Sequence, residues 1–268
     1  MLIKEKYLTA IQAAIEASKE IMRIYNGVID LDYKEDGSPL TNADLSSSKI
    51  INDYLSPLGF PITSEETIHT KYKERSSWEN CWCVDPLDGT KEFVSRNGEF
   101  AVNIAFIEGA YPVFGLIASP VYEEILFGGK EMGVFTCAFS DINEPSKWKK
   151  IQEKSSINNP LNMIGSRSHP SELGKKYYED IVLVAKNVEY ISKGSSLKFF
   201  DLANGKADVY PRFAPTMEWD IAAGQAILEA LGGEVNHAIE GTRLRYNKED
   251  LTNPFFIAKT KGFIASYP

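Results

Sequence analysis

The chain is predicted to be a layered α/β protein. Three observations carry that reading: two amphipathic helical segments at the start, a run of strand-like segments in the middle, and strands alternating with helices in the second half. Ile11, Ile15, Met22 and Tyr25 recur at helical spacing within residues 5–26, and Asn26-Gly27 supplies a stop. Thr41 with Asp44 three residues on has the form of a capping box, and Ile51, Leu55 and Leu58 mark the buried face of the helix it starts. Trp82 and Val84 then alternate with Cys83 and Asp85 as a strand does, and Pro86, lacking a backbone donor, is expected to end the ladder.

Residues 101–107, 113–119 and 124–136 read as antiparallel strands joined by turns at Glu108-Gly109 and Gly128-Gly129. The composition turns polar between 140 and 160, with Asp141, Asn143, Glu144, Pro145 and Asn158-Asn159-Pro160. That stretch divides the chain into an N-terminal α+β half, 1–150, and a C-terminal α/β half, 151–268. Beyond it the pattern gives a strand near Met163-Ile164-Gly165, a helix over 171–185, a strand over 188–192, a helix over 196–204 ended by Gly205, and a strand over 207–212. Asp220 opens a last helix, with Ile221, Gly224, Leu228 and Leu231 on one face and Gly232-Gly233 as its stop, before terminal strands.

Length and composition narrow the function. A chain of 268 residues with 43% hydrophobic content has enough material for a large core. The net charge of −8 argues against binding nucleic-acid polymers or anionic membranes, so an anionic ligand must be met by a few placed cations and metal. The opening Met1-Leu2-Ile3-Lys4-Glu5-Lys6 lacks a signal-peptide core and no apolar run approaches a membrane span, which leads to the expectation of a cytoplasmic protein. Cys81, Cys83 and Cys137 are an odd set in a long chain, and free buried thiols are expected rather than a disulfide or a thiolate metal site.

The stretch Asp85-Pro86-Leu87-Asp88-Gly89-Thr90 places two carboxylates and a tight turn at the end of a strand. Gly89 permits the bend, and the amides of Gly89 and Thr90 lie where a helical turn begins, a position that attracts phosphate. Carboxylates and carbonyls without imidazole or thiolate suit Mg²⁺. Alone, the motif reads first as an Asp-rich turn capping its own amides. Ser64-Glu65-Glu66 adds paired acids at the end of a short apolar approach, by themselves a solvated strand end, and Trp219-Asp220 adds an acid at a helix start, by itself a favourable cap.

Four segments taken together, Gly37-Ser38-Pro39-Leu40-Thr41-Asn42-Ala43-Asp44, Ser64-Glu65-Glu66, Asp85 to Thr90, and Trp219-Asp220-Ile221-Ala222-Ala223-Gly224, resemble the Mg²⁺-dependent, lithium-sensitive phosphatases. That superfamily comprises the inositol monophosphatases, fructose-1,6-bisphosphatases and 3′(2′),5′-bisphosphate nucleotidases. The resemblance runs over nearly the whole chain and implies a five-layer αβαβα sandwich. Lys91-Glu92-Phe93, Arg96 to Phe100, Gly194 to Phe199 and Tyr210 to Phe213 look most like the bacterial CysQ branch, the nucleotidases linked to sulfate assimilation. Inositol monophosphatases carry Thr-Asn-Phe where Lys91-Glu92-Phe93 stands.

The resemblance implies that Glu65, Asp85, Asp88, Asp220 and the carbonyl of Leu87 hold two or three Mg²⁺ ions. It implies that Thr90 and Asp44 orient and deprotonate the attacking water, and that Glu66 supports the metal shell. Thr90 also fits a helix-start hydroxyl, and Asp44 a capping acid. Gly89, Thr90, His169, Ser195, Ser196, Lys198 and Arg212 resemble the adenosine-bisphosphate site, with Lys198 and Arg212 balancing the second phosphate. A turn histidine, a serine cap pair and ordinary surface cations are the structural alternatives. His69 and His237 match no motif.

The implied reaction is removal of the 3′-phosphate of adenosine 3′,5′-bisphosphate, giving AMP, by a monomer or homodimer. Inositol monophosphatase activity shares the metal centre and is the alternative in chemistry, and a catalytically weak nucleotide-binding sensor is the alternative of another class. A dehalogenase-like phosphatase spaces its two Asp by one residue, whereas two residues separate Asp85 from Asp88. The segment Gly133-Val134-Phe135-Thr136-Cys137 departs from the superfamily by lacking an Asn-Gly turn, which puts the local hairpin in question.

Overall fold

The structure is a computed structural model that describes residues 3–35, 37–67, 70–167 and 171–267. The first half contains α1 (Glu5–Tyr25), the hairpin β1 (Leu31–Tyr33) and β2 (Pro39–Thr41), α2 (Asn42–Leu55), β3 (Ile62–Ser64), α3 (Tyr72–Arg75), β4 (Asn80–Asp88) and α4 (Thr90–Val94). A meander follows: β5 (Ala101–Glu108), β6 (Tyr111–Ser119), β7 (Glu124–Gly129), β8 (Gly133–Ala138) and β9 (Lys149–Lys150). The second half runs β10 (Leu161–Ser166), α5 (Glu172–Ala185), β11 (Val188–Lys193), α6 (Leu197–Ala203), β12 (Val209–Arg212), α7 (Glu218–Ala230), β13 (Glu234–His237), β14 (Phe256–Lys259) and α8 (Lys261–Ser266).

Strands β3 to β9 form one sheet in sequence order, with only the β3–β4 pair parallel, and a second sheet has the order β11-β10-β12-β14-β13. Alternation along β4 shows how the layers arise. Trp82 and Val84 enter a core with Ile11, Ile15 and Ile51 of α1 and α2, whereas Cys81 and Cys83 enter another with Trp219 and Ile227 of α7. A third cluster joins Leu161, Met163 and Val209 to Tyr177 and Ile181 of α5. The result is five layers: α1 and α2, the seven-stranded sheet, α6 and α7, the five-stranded sheet, and α5. The polar stretch near 150 separates the last strand of one sheet from the first of the other, yet α7 of the second half packs mainly on the first-half sheet.

Two glycines set the position of α7. A Cβ on Gly115 of β6 would lie 2.2 Å from the carbonyl oxygen of Ala223, and one on Gly224 would lie 2.2 Å from the Phe199 ring. The helix therefore approaches sheet and α6 more closely than any side chain permits. This seating points the N-terminus of α7 at the end of β4.

Several expectations need correction. Pro86 does not end β4, which continues to Asp88; it falls where Asp85 pairs with Asn103 and Asp88 with Ala101, a bulge in which no donor is required of it. Residues 124–136 form two strands, β7 and β8, because Gly133 at φ 80° supplies the left-handed residue that an Asn-Gly would have offered. The hairpin in question therefore forms, with Gly129 opposite Gly133. Asp220 is not the opening residue of α7 but its third, one turn inside Met217. The three cysteines are free and buried, as expected. Among the described residues no helix is long and apolar enough to cross a membrane.

Candidate active site

The bulge in β4 does the first piece of local work. With Pro86 and Leu87 released from the ladder, the Leu87 N–H donates to Asp85 Oδ1 at 3.0 Å, which fixes the Asp85 carboxylate at the turn. Gly89 at φ 91° then reverses the chain into α4. β3 runs parallel to β4, and the Glu65 N–H donates to the Val84 carbonyl, so Glu65 emerges beside Asp85. Asp220 arrives from α7, its Oδ2 accepting the Met217 N–H at 2.8 Å.

Glu65, Asp85 and Asp220 each offer a carboxylate oxygen within 4.8 Å of the other two. Asp85 and Asp220 are pushed well above the usual carboxylate range, by burial first and then by the neighbouring carboxylates, Glu65 and Asp88 at Asp85 and Asp88 and Glu65 at Asp220. Glu65 is raised by burial as well, against the pull of Lys34. Three acids so placed, with only oxygen donors between them, fit a hard divalent cation. Asp88 lies beside the group, with its Oδ2 accepting from the Ser196 N–H and, at 3.3 Å, from Asn103 Nδ2.

Thr90 and Asp44 meet as the sequence leads one to expect. The Thr90 hydroxyl lies 3.0 Å from Asp44 Oδ1 and 3.3 Å from the Leu87 carbonyl, while Asp44 Oδ2 accepts from the N–H and the hydroxyl of Thr41. Asp44 thus fills the capping role and reaches the site with its other oxygen. Burial raises its pKa, opposed by those hydrogen bonds.

A cleft of about 120 Å³ opens from this group and is lined by Asp88, Gly89, Ser195, Ser196, Lys198, Arg212 and Asp220, with Lys91 and Glu92 at the α4 side. Lys198 is not a surface cation: it is 5% exposed, its Nζ donates to the carbonyls of Lys193 and Ser195, and burial lowers its pKa to about 8 against the attraction of Asp88. The Ser196 hydroxyl donates to Asn103 Oδ1 at 2.6 Å, so Ser196 braces Asp88 instead of capping α6. Ser195 sits at φ 47°, and Arg212 donates to the Pro215 carbonyl. His169 and His69 lie outside the described residues. A second cavity of about 480 Å³ shares Ser166 and Arg212 with the cleft and is walled by Tyr178, Tyr190 and Phe213.

One participant carries no sequence signal. Lys34, just beyond β1, donates to Glu65 Oε1 at 2.7 Å and to Glu66 Oε1 at 2.5 Å. It gives the two acids a counter-charge, and it ties Glu66 to Lys34 at the edge of the acid group. Asn103, which braces Asp88, was also invisible as a site residue in the sequence, whereas the capping box that ties Thr41 to Asp44 is legible there and forms.

The inositol monophosphatase family model matches residues 3–267. The chain belongs to the inositol monophosphatase family. It is 41% identical over 266 residues to the 3′(2′),5′-bisphosphate nucleotidase CysQ of Buchnera aphidicola, covering 95% of this chain and 91% of that one. Identity to the protein of the same name from Salmonella typhimurium is 38% over 250 residues, covering 91% and 96%. Among solved structures, CysQ of Bacteroides thetaiotaomicron, described as a bacterial member of the family, superposes with a TM-score of 0.85 at 43% identity, covering 94% of this chain and 96% of that one. The extragenic suppressor protein SuhB of Bartonella henselae shares the family fold at a TM-score of 0.77 and 22% identity, over 98% and 97% of the two chains.

Proposed function

We propose that this family member is a Mg²⁺-dependent phosphomonoesterase that removes the 3′-phosphate of adenosine 3′,5′-bisphosphate, giving AMP and inorganic phosphate. The observation that carries the proposal is the group of Glu65, Asp85 and Asp220 oxygens within 4.8 Å of one another, opening onto a cleft that also holds Lys198 and Arg212. Those acids, with Asp88 and the Leu87 carbonyl, would hold the metal. A divalent cation bound there supplies charge neutralisation for the phosphate and activation of a water nucleophile.

The protein's own groups do the rest. With its proton directed at Asp44, the Thr90 hydroxyl presents lone pairs that orient a water, and Asp44, raised by burial, is placed to take a proton through Thr90. The backbone turn at Gly89 and the cations Lys198 and Arg212 receive phosphate oxygens. The aromatic walls of the neighbouring cavity suit a base held beyond Arg212. The two relatives named as nucleotidases at 41% and 38% identity support the same substrate class. Initial rates of phosphate release from adenosine 3′,5′-bisphosphate and inositol 1-phosphate with Mg²⁺ test the reading, and a preference for the inositol ester would refute it.

A further inference from the structure

The cleft contains an acid that anion binding does not explain. Glu92, in α4, lines the same cleft as Asp88, Gly89, Lys198 and Arg212. Two glycines fix its place. A Cβ on Gly194 would lie 2.7 Å from Glu92 Cγ, and a Cβ on Gly89 would lie 3.4 Å from Glu92 Oε2. The Gly194 side of this slot is itself tied down, because the Gly194 N–H donates to Glu99 Oε2 at 2.8 Å and Glu99 is paired with Arg167 at 2.8 Å. The carboxylate is thereby held beside the turn that receives phosphate.

An ionised carboxylate accepts hydrogen bonds and donates none, and the oxygens of a phosphate dianion do the same. Glu92 therefore opposes the scissile group and, besides its attraction for Lys198 in the same cleft, matches a part of the ligand that donates. In a phosphate ester of a polyol, the donor next to the ester oxygen is the vicinal hydroxyl. Building on the nucleotidase reading, we infer that Glu92 is a specificity-determining residue that accepts a hydrogen bond from the ribose hydroxyl adjacent to the scissile 3′-phosphate. The enzyme then selects ribonucleotide over 2′-deoxyribonucleotide substrates at the site of reaction itself.

The test compares kcat/KM on adenosine 3′,5′-bisphosphate and on its 2′-deoxy analogue for the wild type, Glu92→Ala and Glu92→Gln. A hydrogen bond to a charged partner corresponds to roughly tenfold or more in this ratio. The wild type is expected to show that preference, Glu92→Ala to lose it, and Glu92→Gln, which keeps a neutral accepting oxygen and the same size, to fall between. Equal turnover of the two substrates by the wild type overturns the inference, and so does a ribo-to-deoxy ratio unchanged in both variants. A wild type inactive on both nucleotides sinks the nucleotidase reading and this inference with it, a result distinct from full activity with an unchanged ratio.

Discussion

Replacing Lys198 by Met removes the ammonium and keeps most of the side chain's length. In the structure that ammonium is 5% exposed and held by two backbone carbonyls at the wall of the cleft, so an anion reaching it meets a charge already stripped of water. A charge-assisted contact of this kind is worth about 1.5–3 kcal/mol, or roughly ten- to more than hundredfold in kcat/KM. If Lys198 faces the phosphate that is not cleaved, that loss appears on adenosine 3′,5′-bisphosphate and not on adenosine 3′-monophosphate. Met leaves the Lys193 and Ser195 carbonyls without their donor, so thermal melting of the variant is measured alongside to separate a loss of fold from a loss of binding. The pH profile adds a second reading. Burial places the Lys198 pKa at about 8, so raising the pH through that value neutralises the free enzyme's cation and lowers kcat/KM on the bisphosphate. Lys198→Arg keeps its charge and should lose that alkaline limb. Phosphate release measured on both substrates across the alkaline range checks the reasoning. An equal loss on the two substrates would refute it and assign Lys198 to the scissile phosphate or to structure alone.

Mg²⁺ at about a hundred times its dissociation constant should stabilise the fold by about 2.7 kcal/mol, a rise of several degrees in Tm by thermal melting, while excess chelator abolishes turnover and millimolar lithium inhibits it. Lys34→Met should tighten Mg²⁺ binding measured by calorimetry, because the ammonium held at 2.7 Å from Glu65 opposes a second cation on the same carboxylate; weaker binding would make Lys34 an orienting residue instead. Asp220→Asn should cut turnover strongly and leave the melting profile close to wild type, and Thr90→Ala should lower kcat more than it raises KM. Rapid quench should trap no phosphorylated Asp85 or Asp88, and a trapped phosphoenzyme would contradict direct attack by water.

The acids of the site were legible because each follows a local signal that survives without tertiary context. Asp85 and Asp88 flank a proline and precede a glycine, Asp44 completes a capping box, and Asp220 stands in the first turn of a periodic helix. Long elements were legible for the same reason. What was missed depends on contacts between segments far apart in sequence. Lys34 reaches Glu65 and Glu66 from just beyond a three-residue strand with no buried position, too short and too exposed for any periodicity. The role of Ser196 in holding Asp88 appears only once α6 docks against β5 through Asn103. The bulge at Pro86 could not be read as one, since proline signals a lost donor without saying whether the ladder resumes beyond it. Lys198 reads in the sequence as a phosphate-side cation with an ordinary surface lysine as the alternative, and its burial could not be foreseen because it comes from packing between the two sheets.

The central claim is that three buried carboxylates and the adjoining cationic cleft hydrolyse a nucleoside bisphosphate. Its most direct measurement is turnover of adenosine 3′,5′-bisphosphate by the purified chain with Mg²⁺, with the nucleotide product identified by chromatography. The expected result is AMP and one equivalent of inorganic phosphate, lost in excess chelator and in Asp220→Asn. Adenosine 3′-monophosphate as the product, or turnover that persists in chelator, would contradict the account.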